Sequence, residues 1–364
     1  MAQTSVEVND PKAVKKYSAF LAVDTARKSY FNKKFMGGPE SSTPITRLVE
    51  LENAEGEYIS FDLSVQIGMQ PIEGDDVLEG KETALKFYSD GIYIDQMRGG
   101  VNTGGRMSRK RTLHDMRKIA RNRQSDWWAR IFDELFFMYL AGTRGVNSEF
   151  NFPADYSGFA NNPMQSPDDE HYFIAGGHAS PSSLTTSDRL TLDLIDRVKT
   201  TAQMMGGAHE QTPQVMPIMI EGEKHYVCLM NPWQSYYLRT STSTNEWMEL
   251  RKAAAASEGA SSPIFKGGLG MYNNVVLHEH EAVIRFGTDT HGVQSARAMF
   301  MGEQAGVIAF GSPGSGLRFN WHEESRDNGN QVIISTSSIL GVKKTNFNGK
   351  DYGLMAIDSS TAKD

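Results

Sequence analysis

The chain has 364 residues, 39% of them hydrophobic, with 34 glycines, an apolar share normal for globular proteins and a length sufficient for one large body or two to three domains with buried cores. A single cysteine, Cys228, excludes an intramolecular disulfide framework and a cysteine zinc cluster, and 37 Lys and Arg against 44 Asp and Glu give a net charge of −7, which argues against coating nucleic acid over the whole surface but permits a local basic patch. No stretch is apolar over the roughly 18 residues that cross a bilayer, and the short run 17–23 meets Asp24, Arg27 and Lys28 without a small-residue cleavage site, so a cytosolic chain with no membrane partner is expected.

Asn9 or Asp10 can cap a helix with Pro11 in its first turn, and Val14, Tyr17, Phe20 and Leu21 follow at helical spacing. The segment continues through Lys33 and Lys34 to the breakers Gly37, Gly38 and Pro39. Its apolar stripe has little local partner, so it either lies as an arm on a neighbour or packs on its own domain.

From Ile45 to Gly105 the apolar period becomes two, with Ile59, Phe61, Leu63, Val65 and Ile67 alternating with polar residues. Glu55-Gly56 reads as one turn, and Asp90-Gly91 reads as a hairpin turn between 83–88 and Ile92, Tyr93 and Ile94. Between them Glu73, Asp75, Asp76, Glu79 and Glu82 form an acidic loop too polar for a core.

Ser108 or Thr112 can start a helix carried by Leu113, Met116, Ile119, Ala120, Trp127, Trp128, Ile131, Phe132, Leu135 and Phe136 to Leu140, stopping near Gly142. About 30 helical residues make a rod of roughly 45 Å. Its start is basic, with Arg106, Arg109, Lys110, Arg111, Arg117, Lys118, Arg121 and Arg123 against one acid, Asp115, whereas its end is aromatic. Residues 143–187 read as a long functional or pinned loop. A helix follows from Ser187 to Met205, then a buried strand at 226–230, a helical turn at 232–238 and a further helix at 245–257. Strand character returns at 275–280, 282–286 and through the 330s and 340s, giving a mixed α+β chain without internal repeats.

Most chemical motifs dissolve on inspection. His278 and His280 share a strand face, but a third ligand, from His291 or His322-Glu323-Glu324, requires the fold to bring it near, so a charged strand rim outweighs a metal site. Gly267-Gly268-Leu269-Gly270 lacks the third glycine of a dinucleotide fingerprint, and no loop ends in the Gly-Lys-Ser/Thr that cradles nucleotide phosphates. Gly311-Ser312-Pro313-Gly314-Ser315-Gly316 is a turn rather than a nucleophile elbow. Cys228 lies in an apolar strand and reads as a small core residue. No cofactor, metal or catalytic set is expected. The basic segment 106–123 lacks the interleaved aromatics that stack bases. It can be a solvated helix face, or the acidic loop can complement it head-to-tail between identical subunits.

The order of parts, arm, projecting two-stranded loop, long helix, then mixed body, resembles the major capsid proteins of tailed bacteriophages with the Hong Kong 97-type fold. Local matches are closer to the podovirus family typified by the enquatroviruses: Ser29-Tyr30-Phe31, Lys34-Phe35-Met36-Gly37, Leu78-Glu79-Gly80-Lys81-Glu82, Asp126-Trp127-Trp128 and Leu140-Ala141-Gly142. Further matches are Tyr226-Val227-Cys228-Leu229-Met230-Asn231-Pro232, Ile264-Phe265-Lys266-Gly267-Gly268-Leu269-Gly270 with Tyr272-Asn273, and Asp351-Tyr352-Gly353.

The resemblance implies an N-terminal arm at 1–44, an extended loop at 45–106, and a peripheral domain at 107–207 with a spine helix at 107–142. An axial domain at 208–312 and returning peripheral strands at 313–364 complete the chain. It further implies hexamers and pentamers in an icosahedral virion shell around double-stranded DNA, assembled in the host cytoplasm with a separate scaffolding protein, a portal protein and possible decoration proteins. No covalent cross-link is assumed. On this reading Glu73, Asp75, Asp76, Glu79 and Glu82 face Arg109, Lys110, Arg111, Arg117 and Lys118 across a subunit contact. The competing classes are a metal-dependent enzyme built on His278 and His280, and a DNA-binding protein using the basic helix.

Overall fold

A computed structural model of the chain describes residues 11–39, 41–52, 55–64, 71–82, 84–85, 87–111, 115–205, 214–220, 222–242, 263–312 and 318–362. The expected helix at 245–257 and most of the glycine-serine turn at 311–316 lie outside them.

The chain begins with α1 (Pro11–Lys28), α2 (Tyr30–Lys34) and strands β1 (Met36–Gly37), β2 (Ile45–Leu48), β3 (Tyr58–Ser64), β4 (Phe87–Tyr93) and β5 (Asp95–Asn102). Helices α3 (Arg106–Arg111) and α4 (Met116–Ala141) follow, then β6 (Gly158–Phe159), β7 (Asn162–Pro163), β8 (Tyr172–Ile174) and α5 (Leu192–Met204). Next come β9 (Ile218–Ile220), β10 (Glu223–Met230), α6 (Pro232–Ser241), β11 (Gly270–Tyr272), β12 (Val275–Glu279), β13 (Arg285–Phe286) and β14 (Ser295–Met301). The chain closes with β15 (Gly306–Gly311), β16 (Phe319–Arg326), β17 (Gln331–Lys344), β18 (Asn346–Phe347), β19 (Lys350–Asp351) and β20 (Leu354–Ser360).

Two sheets organise the body. The first runs β1-β2-β15-β17-β16, with β5 also paired to the 14-residue β17. The second runs β11-β12-β10-β14-β20-β8, with β13 on β14 and β9 on β10. Both sheets combine parallel pairs (β1 with β2, β2 with β15, β10 with β12, β20 with β8) with antiparallel ones, the mixed α+β class expected. A cut at residue 312 does not sort these strands: β15, before it, belongs to the first sheet and β20, after it, to the second.

Helix α4 is the rod between them. It is shorter than the expected 107–142, because Arg106–Arg111 forms a separate helix and Asp115, the lone acid of the basic run, caps α4 by accepting from the Lys118 N–H at 3.3 Å. At the other end Thr143 N–H donates to Met138 O and Gly142 N–H to Tyr139 O, a Schellman closure with Gly142 at φ +73°. A Cβ at Gly142 would lie 2.1 Å from Gln165 O, so the stop requires glycine sterically as well as conformationally. Residues 134–142 are buried on every side, and the aromatic end of α4 fills the core with Phe31, Phe35, Trp321 and one face of each sheet. Trp128 Nε1–H donates to Thr336 Oγ1 at 2.9 Å, which satisfies the indole where it is fully buried. A second cluster packs α5 and α6 on the opposite face of the second sheet around Cys228, Met230 and Phe300.

A buried ionic bracket joins the rod to the second sheet. The Arg297 guanidinium donates to both oxygens of Asp358 at 2.7 Å and, through Nη1, to the Ala141 carbonyl at the end of α4 at 2.8 Å. The cation therefore also meets the negative end of the helix.

One expectation is corrected. Asp90-Gly91 makes no turn: β4 runs straight through it, paired with β3 from Tyr58↔Tyr93 to Ser64↔Phe87. Asp90 forms an ion pair with Lys343 and accepts from the Asn346 N–H, while the Tyr58 ring occupies the space a Cβ would take at Gly91. The projecting element is thus one hairpin, with the acidic loop as its connection. Its base has a core of its own, in which Ile59, Ile92 and Ile94 pack with Leu48, Leu51, Val307 and Ala309. The described part of the arm also has a partner within the chain. Leu21 is fully buried, Tyr17 stacks on Trp321 at 5.4 Å, and Trp321 N–H donates to Ser18 Oγ.

Candidate assembly surfaces

The hairpin connection carries all five acids on its exterior: Glu73, Asp75, Asp76, Glu79 and Glu82 are exposed. Among and just after them, large apolar side chains are exposed, Val77 at 65%, Leu85 and Phe87 at 59% and Leu78 at 51%. A monomer hides such residues when it can, so a cluster of them is a candidate contact surface.

The basic set is only partly free. Lys110, Arg111 and Lys118 are exposed, whereas the side chains of Arg109 and Arg117 lie outside the described residues. Arg106 is tied to the β16–β17 turn through the Gly329 carbonyl at 3.3 Å. Arg121 lies over Phe20 and 3.9 Å from Asp24, so it serves the α1–α4 contact. Among the described residues no ion pair joins the acidic loop to Arg111, Lys110 or Lys118 within the chain.

Residues that sequence reasoning passed over anchor the arm. Ser29 caps α2, and its hydroxyl, with the N–H groups of Tyr30 and Phe31, donates to the carboxylate of Asp133 on α4 at 2.8 to 3.2 Å. Burial pushes Asp133 up to about 6 against the pull of those three donors. This explains the Ser29-Tyr30-Phe31 motif as a docking element; Asp133 stands among apolar residues and offered no spacing by which to find it. Equally unmarked is a basic pair on the first sheet. Arg318 Nε–H donates to Glu52 at 2.7 Å, Arg47 lies close enough to repel it, and the Arg47 Nε–H has no partner among the described residues.

The histidines do not converge. His278 Nε2 is 2.7 Å from the Ile264 carbonyl, the His280 ring lies 4.5 Å from Tyr30, and burial, reinforced by Lys34, pushes both imidazoles down to about 4. His291 stacks on Phe286 beside Ser295, and His322 is exposed on β16. Among the described residues no group of three or more His, Cys, Asp or Glu side chains could hold a metal ion. Burial pushes the Cys228 thiol up to about 12, which keeps it protonated and inert.

Comparison with known proteins decides between these readings. The family model described as phage capsid protein matches residues 5–363. The chain belongs to the phage capsid protein family. Its sequence is 26% identical over 363 residues to the major capsid protein of Pseudomonas phage KPP25, covering 91% of each chain. The structure superposes on the capsid of Ralstonia phage GP4 with a TM-score of 0.86 and 47% identity, covering 100% of this chain and 99% of that one. The capsid asymmetric unit of cyanophage Pam1 shares the fold, with a TM-score of 0.71 and 20% identity over 93% and 94% of the two chains. This phage capsid protein therefore has the Hong Kong 97-type fold and a structural, non-enzymatic role. The metal-enzyme alternative has no support in the comparisons or in the histidine geometry.

Proposed function

We propose that this chain is the major capsid protein of a tailed double-stranded DNA phage, assembling as hexamers and pentamers into the icosahedral shell that encloses the genome. The observation that carries the reading is 47% identity to the Ralstonia phage GP4 capsid over the entire chain. The exposed apolar and acidic hairpin tip supports it as the part most in need of a neighbour. In these terms the hairpin and its connection are the extended loop, α4 is the spine, the first sheet is peripheral and the second is axial. The contact surfaces are the acidic set Glu73, Asp75, Asp76, Glu79 and Glu82 and the basic set Arg109, Lys110, Arg111, Arg117 and Lys118.

The partners are further copies of the chain, a separate scaffolding protein, a portal protein at one vertex and, on some shells, a decoration protein. Synthesis and assembly take place in the host cytoplasm and the product resides in the virion. A net acidic chain suits an inner wall that must not clamp packaged DNA, because phosphate neutralisation makes binding strong and salt-dependent. Light scattering and electron microscopy of protein co-expressed with its scaffolding protein test the proposal. Shells, hexamers or pentamers are expected; a stable monomer or dimer under every condition would overturn it.

A further inference from the structure

Between the arm and the first sheet lies a slot lined by Ala22, Thr25, Ala26, Phe132, Ile308 and Arg318. Its volume of about 40 Å³ is several times the roughly 10–15 Å³ that holds one water. That is room for the end of one aliphatic side chain. Thr25 is 2% exposed and its hydroxyl has no partner among the described residues. At the rim the charges do not balance. Arg318 is half-buried, paired with Glu52 and stacked over Phe310 at 4.7 Å. Arg47 stands opposite Ile308 on the adjacent strand, so its side chain leaves the same face of the sheet. Two guanidinium groups thus share one carboxylate, and burial together with the neighbouring Arg318 disfavours the charge of Arg47 against the pull of Glu52.

We infer that this slot is the receptor for the hairpin tip of a second copy, with Val77 or Leu78 entering the cavity and a flanking acid, Asp76 or Glu79, supplying a second carboxylate beside Glu52 for Arg47 and Arg318. The inference rests on the assembly reading proposed above and assigns the acidic loop's partner to Arg47 and Arg318 rather than to the basic segment at 106–123. The occupant is chosen by complementarity. The tip presents large aliphatic side chains between acids, and the slot presents an apolar floor beside surplus positive charge. Such pairing fixes register and suppresses wrong docking more than it adds raw affinity.

Cysteine cross-linking in assembled shells tests it, with little background because Cys228 is fully buried. Leu78→Cys combined with Ala22→Cys should yield covalent oligomers under mild oxidation or with a short bismaleimide, and Leu78→Cys combined with Lys110→Cys should not. Shells that form but link only through Lys110→Cys, or through neither pair, overturn the slot while leaving the assembly reading intact. Absence of shells from the unmodified chain with its scaffolding protein overturns both. Arg47→Gln gives a second readout. The concentration needed for shell formation should rise about tenfold, with the thermal midpoint of the free subunit unchanged; an unaltered threshold counts against the slot.

Discussion

Asp133 shows how one side chain on the rod holds an entire segment. Its carboxylate accepts from the Ser29 hydroxyl and two backbone N–H groups, so Asp133→Ala leaves three donors of the arm without their acceptor. A loss of about 1–3 kcal/mol is expected, read as protease sensitivity confined to residues 11–35. The same group imposes a pH dependence of known sign. Its folded value of about 6 lies above the ordinary 3.8, so between those values the folded state holds a proton that the unfolded state has released. Its contribution is full below pH 4 and is lost as pH rises through 6, by at most about 3 kcal/mol. Chemical denaturation from pH 4 to 7 should show this slope in the native chain and a flatter one in Asp133→Ala. Arg297 is the second residue on which much depends. Arg297→Leu strands Asp358 in the core without its cation and should cost about 3–5 kcal/mol in the same measurement.

At the scale of elements, what was legible was what rests on period. The strands at 226–230 and 275–280, the rod ending at Gly142 and the helix before Met205 follow from apolar spacing and stop signals, and the structure places β10, β12, α4 and α5 there. What was not legible depends on partners distant in the chain. Asp90-Gly91 has the composition of a turn, but Lys343 neutralises the aspartate and Tyr58 covers the glycine, which makes the dipeptide acceptable within a strand. The arm looked unpartnered because Trp321 and Asp133 lie some hundred or more residues away from it. Gly91→Val tests the first point. It adds β-branched character but displaces the Tyr58 ring and its contact with Tyr93 at 4.7 Å, so hydrogen exchange in the hairpin should rise, equivalent to about 1 kcal/mol. In a Tyr58→Ala background the same change should be neutral or favourable.

Over the whole molecule, the proposed assembly makes the acids and apolar residues at the tip decide whether copies join. Changing Asp75, Asp76 and Glu79 together to Lys replaces exposed side chains, so the circular dichroism spectrum and thermal midpoint of the subunit should be preserved while shell yield collapses. Normal shells from this variant would remove the acidic loop from the contact. The proposed assembly sites are visible in the sequence as charge but not as geometry. Charge runs are easily counted, whereas the slot beneath the arm exists only because α1, β15 and β16 meet from three parts of the chain.

The position of β20 has a consequence for biosynthesis. The last strand of the chain is interior to the second sheet, between β14 and β8, and β17, nearly as late, is central to the first. Neither sheet can close before residues 331–360 have left the ribosome, so folding proceeds slowly through long-range pairings. Chains cut short before residue 331 consequently lack both sheets' centres, so an unfinished subunit cannot present the folded surfaces through which copies would join.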